Sequence, residues 1–173
     1  MDIYKLKFTV LQQEIFRFLC LEAGREFTSR SLARRLGVSP TAIAKSLPLL
    51  KKERLVVAEK DSESGRMAIG LNLENDDVRF LKKIENLRFL HASGLVGFLA
   101  GKFSTSDIYV GGDYAEGIDR MNSVIGISVV GPKTSWNGSS LEKFEKILDR
   151  KIDIKFVKSA PAGSTFLIRG GGK

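Results

Sequence analysis

Cysteine is almost absent from this chain: Cys20 is the only one among 173 residues. No internal disulfide can form from a single thiol, and a reducing cytoplasm is the expected setting. Cys20 falls within the apolar pattern of a first helix, which marks it as a core residue. Histidine is as scarce, with His91 alone near the end of a long helical pattern. One His and one Cys cannot assemble a structural zinc site. No metal and no cofactor is expected. Long hydrophobic runs are missing too. No stretch of about 18 apolar residues occurs, which excludes a spanning helix and a membrane partner from the reading. The first seven residues, M-D-I-Y-K-L-K, lack the apolar stretch of a signal peptide. The only tryptophan, Trp136, stands beside Asn137-Gly138 in loop-like sequence and carries no functional signal.

An apolar fraction of 43% is enough for a packed core, and the length fits one large domain or two small ones. The net charge of +8 is unevenly spread. Residues 1–60 hold 12 Lys or Arg against 6 Asp or Glu, residues 61–100 hold 5 against 6, and residues 101–173 hold 11 against 8. The positive excess therefore sits mainly on the first third, where a polyanion would use it.

That first third has a readable pattern. Thr9 to Leu21 predicts a helix with Val10, Ile15, Phe16, Phe18 and Leu19 on its apolar side. Phe27 to Val57 predicts two short helices around a Gly37-Val38-Ser39 turn. Thr28 can cap the first of these, with Phe27 and Leu32 as a hydrophobic staple and Ser31 in the first turn. Gly37 ends it in a left-handed conformation. Ser39 caps the next helix, with Pro40 at its first position. Leu32, Ala33, Leu36, Val38, Ile43, Leu47 and Leu50 face the core, and Ser39, Thr41, Ala42 and Lys45 fall on the open face. Pro48 lies inside that helix and predicts a kink or a break. Leu55 to Lys60 and Arg66 to Leu71 read as two strands around a turn-rich tip, Asp61 to Gly65.

Helix, helix, recognition helix and β-hairpin is the order of a winged helix-turn-helix domain, which residues 1–74 closely resemble. The resemblance implies double-stranded DNA as partner. Thr41 and Lys45, beside Ala42, would face base edges, while Ser29, Arg30, Ser39 and the wing residues Lys60 and Arg66 would meet phosphates. A small helical hairpin used only for protein contacts is the plainer alternative.

Residues 75–103 read as linking helices. Val78, Leu81, Ile84, Leu87 and Leu90 recur at helical spacing from Asp76 to Ala92, and a shorter helix runs from Leu95 to Phe103. Phe80, Leu87 and Phe89 give the long helix more apolar surface than one core needs, so a dimer contact is expected there. Residues 104–173 then predict strand, glycine loop, strand, helix and strand: Asp107 to Val110, Gly111-Gly112, Ser123 to Val130 with Ile125, Ile127 and Val129 alternating, a helix from Leu141 to Asp149 capped by Ser140, and Ile152 to Val157. The tail from Ser159 to Lys173 carries no predicted element. Asp113, Glu116 and Asp119 recur every three residues as a solvated acidic edge. Lys143, Lys146, Arg150 and Lys151 read as one solvated helix face.

The stretch from Val110 to Gly131 resembles the minimal nucleotidyltransferase signature, in which a Gly-Ser loop holds the triphosphate and two aspartates hold metal ions. Gly112 and Gly117 match the family's glycines, and Ser123 matches the serine before the first aspartate. Asp113 stands where the phosphate-binding serine belongs, Val124 at the first metal aspartate and Gly126 at the second. Asp153 matches a third carboxylate. One carboxylate cannot hold a pair of magnesium ions, and an acid at Asp113 repels a triphosphate. Archaeal proteins that fuse a winged helix-turn-helix to a nucleotidyltransferase domain resemble the whole chain, including F-T-V-L-Q-Q-E-I-F-R, G-V-S-P-T-A-I-A-K and L-P-L-L. The implied fold is α+β: a winged helix-turn-helix, a linking helix, and a small α/β nucleotidyltransferase-like domain with a mixed sheet. The implied function is a DNA-binding regulator whose inactive second domain serves dimerisation, a protein partner or a ligand. A divergent active transferase and an antitoxin-like interaction protein are the alternatives.

Overall fold

The computed structural model describes residues 8–60, 65–133 and 138–171. The chain divides into two compact units, Met1–Val78 and Arg79–Lys173, with the division inside one helix.

In the first unit, three helices precede a two-stranded antiparallel sheet: α1 Val10–Leu21, α2 Ser29–Leu36, α3 Pro40–Lys52, β1 Val56–Lys60 and β2 Met67–Leu71. Local chemistry sets each boundary. Thr9 and Gln12 form a capping box at α1, and Thr28 and Ser31 form another at α2. Gly37 closes α2 at φ +67. Ser39 accepts from the Ala42 N–H and Pro40 opens α3. Ile15, Leu19, Cys20, Leu32, Ile43, Leu50 and Ile69 are fully buried and make the core. Leu36 and Val38 are half-buried at its edge, and Val10, expected inside, is 73% exposed. Gln12 takes the inward position on α1 instead, because its amide has a partner there.

Pro48 does not break α3. The helix runs unbroken from Pro40 to Lys52. Ala44 and Pro48 are both exposed, so the defect lies on the open side of the helix and not in the core. Five register pairs join the wing strands, Val56↔Leu71 through Lys60↔Met67, and a bridge from Phe27 to Ile69 adds the segment before α2 to the sheet. The expected tip from Asp61 to Ser64 lies outside the described residues.

Helix α4, Asp76–Ala92, begins at the end of the first unit. The second unit continues with α5 Leu95–Lys102, β3 Ile108–Gly111, the single turn α6 Asp113–Glu116, β4 Ile125–Val130, a 3-10 turn Gly138–Leu141, α7 Glu142–Leu148, β5 Ile152–Val157 and β6 Thr165–Arg169. The sheet order is β5-β4-β3-β6, with β4 parallel to β5 and β3 antiparallel to both β4 and β6. It is a mixed sheet. Ile125, Ile127 and Val129 alternate into the core as the sequence predicts, together with Leu90, Leu95, Leu99, Phe144 and Leu148. The segment read as linking helices thus supplies part of this core.

Three expectations change here. The tail is not featureless, since β6 pairs with β3 along its length. Ser140 does not cap α7; it lies in the 3-10 turn, and the residue before α7 is Leu141, with no side-chain cap. The buried positions of α4 are Val78, Lys82, Asn86 and Leu90, so Ile84, expected inside, is 50% exposed.

Candidate nucleic-acid interface

The expected recognition helix is held from behind. Gln12 Nε2 on α1 donates to the Ser46 carbonyl of α3 at 3.3 Å, in buried surroundings. Ser46 Oγ donates back to the Ala42 carbonyl at 2.9 Å. Ile43, Leu47 and Leu50 are buried on the same side. The opposite face is open: Ser39, Thr41 and Lys45 are exposed and Ala42 is half-buried. Ser39 is already engaged as the cap of α3, so only its hydroxyl proton is left to meet an anion.

Of the residues expected to meet phosphates, Arg30 at the start of α2 is exposed and Ser29 is half-buried. Lys60 and Arg66 are exposed at the outer end of the wing, next to the last register pair, Lys60↔Met67. Sequence reasoning missed Lys51, whose Nζ donates to the Ala58 carbonyl at 3.1 Å and ties α3 to β1. It also missed Arg34 and Arg35, exposed in the last turn of α2, where they complement the helix dipole. Their signal was available as two adjacent arginines just before the Gly37 turn.

The glycine loop of the second unit has a defined shape. Gly112 precedes α6 at φ +68 and ψ −157, a region reserved for glycine. Gly117 follows at φ +72, and a Cβ there would come within 2.2 Å of the Arg79 carbonyl oxygen of α4. Gly117 therefore lets the loop lie against a helix backbone. Gly126 stands opposite Gly111 on one side and Asp153 on the other. Ser123 Oγ accepts from the Arg120 N–H at 3.0 Å and closes a turn. Val124 is 50% exposed. Asp113 and Asp153 are exposed, and Asp153 lies 3.5 Å from Lys155 Nζ.

These residues do not fit a pair of metal ions. Valine and glycine offer no lone pair where the resemblance needs carboxylates. Among the described residues, no three His, Cys, Asp or Glu side chains gather into a metal-binding group.

Two sequence expectations fail in the same place. Asp119 is not part of a solvated edge and Arg150 is not on a solvated face: they are 1% and 4% exposed. Asp119 forms a buried ion pair with Lys82 and another with Arg150 Nη2 at 3.4 Å. Asn86 Nδ2 donates to Asp119 Oδ1 at 2.7 Å and to the Tyr114 carbonyl at 2.8 Å. Tyr114 Oη donates to the Asn86 carbonyl at 3.3 Å. Burial, then the Asp119 charge, pushes the Tyr114 phenol far above its ordinary value, against a smaller opposite effect from Arg150. This network fastens α4 to the loop after α6 and to the turn before β5.

A cavity of about 600 Å³ lies next to it, lined by Ser123, Glu142, Glu145, Lys146, Arg150 and Lys151 among others. Its charges are mixed. The Glu145 carboxyl is held below its usual range by the Lys151 side chain first and by the Ile152 N–H second.

No family model matches the chain, and no curated protein matches it. Solved structures do. One is the adhesin competence repressor AdcR of Streptococcus pyogenes, 20% identical over 56% of this chain and 69% of that one, with a TM-score of 0.43. A mutant of Lactococcus lactis ZitR is 19% identical over 60% and 67%, with a TM-score of 0.44. S. aureus MepR in complex with DNA is 16% identical over 56% and 79%, with a TM-score of 0.40. Likenesses of this size decide nothing about the chain. Its winged-helix arrangement rests on its own element order and wing register.

Among the described residues, no helix is long and apolar enough to cross a membrane.

Proposed function

We propose that the first unit binds double-stranded DNA and that the protein regulates transcription. The observation that carries this is the open face of α3. Thr41 and Lys45 are exposed on a helix whose other face is fixed by Gln12 and by buried Ile43, Leu47 and Leu50. A helix of 13 residues is about 20 Å long, and a major groove about 12 Å wide admits it. Thr41 and Lys45 then face base edges beside Ala42, while Ser29, Arg30, Ser39, Lys60 and Arg66 meet phosphates on either side.

The test is selection of preferred sequences from a random duplex pool, followed by variants on the selected site. Lys45→Ala is expected to lose on the order of 1–3 kcal/mol on the preferred sequence and little on random DNA. Arg66→Ala is expected to weaken both alike. A pool from which no sequence is enriched contradicts the regulator reading.

The second unit fits the scaffold of a minimal nucleotidyltransferase without its catalyst. Support comes from the order β3, glycine loop, β4, α7, β5, and from the register that sets Gly126 beside Asp153. With Val124 and Gly126 in the metal positions, the unit serves dimerisation, a protein partner or a ligand rather than transfer. Phe80 and Ile84, 61% and 50% exposed one helical turn apart, favour pairing through α4. Leu87 and Phe89, expected beside Phe80 in that contact, pack partly against the unit's own core, and Ile84 takes their place. Light scattering reads the oligomeric state directly.

The enzyme reading keeps one specific support, the Gly126–Asp153 register itself. Incubation with each labelled nucleoside triphosphate and magnesium separates the two. No label is expected on protein, RNA or DNA. Incorporation that disappears in Asp153→Asn reinstates the transferase.

A further inference from the structure

Strand β5 is an edge of the four-stranded sheet, and a second cavity of about 620 Å³ lies along it. Its walls are Gly131, Pro132 and Lys133, leaving β4, and the run from Ile154 to Lys158 at the end of β5. Three lysines line this space and, among the described residues, no Asp or Glu does. From these features we infer that the cleft binds a phosphate-bearing small molecule. The site is separate from the DNA-binding reading, since every residue belongs to the second unit. It is separate from the glycine loop as well, since the cleft opens where β4 ends and the loop lies where β4 begins.

The backbone adds donors to the lysines. In the parallel pair, the Ile125 N–H donates to the Lys151 carbonyl and the Gly131 N–H to the Val157 carbonyl. Residues 151, 153, 155 and 157 therefore turn their amides towards β4. The alternation of a strand then points the N–H groups of Ile154 and Phe156 outward along the cleft. Phe156 is held by an edge-on contact with Phe103 at 5.6 Å, so this stretch is anchored from the core side. Lys155 is near Asp153, but with side chains 75% and 53% exposed that pair is weak and leaves the ammonium free to turn to a stronger anion.

The size argues for a small ligand. A cavity of some hundreds of cubic ångströms suits a molecule of nucleotide scale. An acidic peptide adding as a strand would need a longer edge than the two outward amides offer here.

The experiment is a calorimetric titration of the full chain with inorganic pyrophosphate at about 0.15 M ionic strength, where exposed charges are screened beyond roughly 8 Å. Saturable binding is expected. The combined variant Lys133→Gln, Lys155→Gln, Lys158→Gln is expected to weaken it by about tenfold or more, equivalent to about 1.4 kcal/mol. Lys52→Gln, Lys102→Gln, Lys143→Gln removes the same charge elsewhere on the surface and is expected to leave it unchanged. Equal weakening by both variants shows general charge attraction and overturns the site. So does the absence of saturation, and so does a glutamate-rich peptide that binds through the three lysines when pyrophosphate does not. Loss of DNA binding has no bearing on any of these outcomes.

Discussion

Asp119 joins three elements of the second unit through one buried carboxylate. Its carboxylate is fully buried between Lys82 and Arg150, with the Asn86 amide on the same oxygen as Lys82. Removing one partner of such a group leaves buried charge without compensation, which costs about 3–5 kcal/mol. Asp119→Ala strands two cations and is expected to reach that range in urea unfolding, whereas Lys82→Met keeps the Arg150 pair and is expected to cost less. Equal stability of Asp119→Ala and the parent would refute the network. None of this was legible in the sequence. Lys82 and Asn86 occupy the inward stripe of α4, and apolar periodicity reads such positions as outward. The partner acid lies 37 residues away, and only the fold brings it to Lys82. The apolar alternation of β4 was legible because a strand's faces follow from neighbours alone.

At the scale of elements, the first unit was largely readable. Caps at Thr28 and Ser39 act within three residues, so the sequence window contains both partners. β6 was not readable, because Thr165 to Arg169 becomes a strand only by pairing with β3, more than 50 residues earlier. Pro48 was read as a kink or a break, and the unbroken helix excludes the break. It costs α3 one hydrogen bond, yet packing of Ile43, Leu47 and Leu50 spans the site. Proline in a helix interior is about 3 kcal/mol less favourable than alanine. Pro48→Ala is therefore expected to stabilise the protein by part of that amount, raising the thermal midpoint. A lowered midpoint would mean that the proline shapes α3 in a way the core requires.

For the whole molecule, the decisive property is where the charge lies. The first 60 residues hold twice as many basic as acidic side chains. Arg30, Arg34 and Arg35 on α2, Lys45 on α3 and Lys60 and Arg66 on the wing are all exposed. Binding that displaces counterions from DNA weakens steeply as salt rises, with a slope set by the phosphates neutralised. Fluorescence anisotropy of a labelled duplex across a salt series measures this directly. Binding at low salt is expected, with a log affinity that falls against log salt with a slope steeper than about −3, and a shallower slope for Lys60→Ala with Arg66→Ala. No binding at low salt, or an affinity indifferent to salt, would contradict the DNA-binding reading.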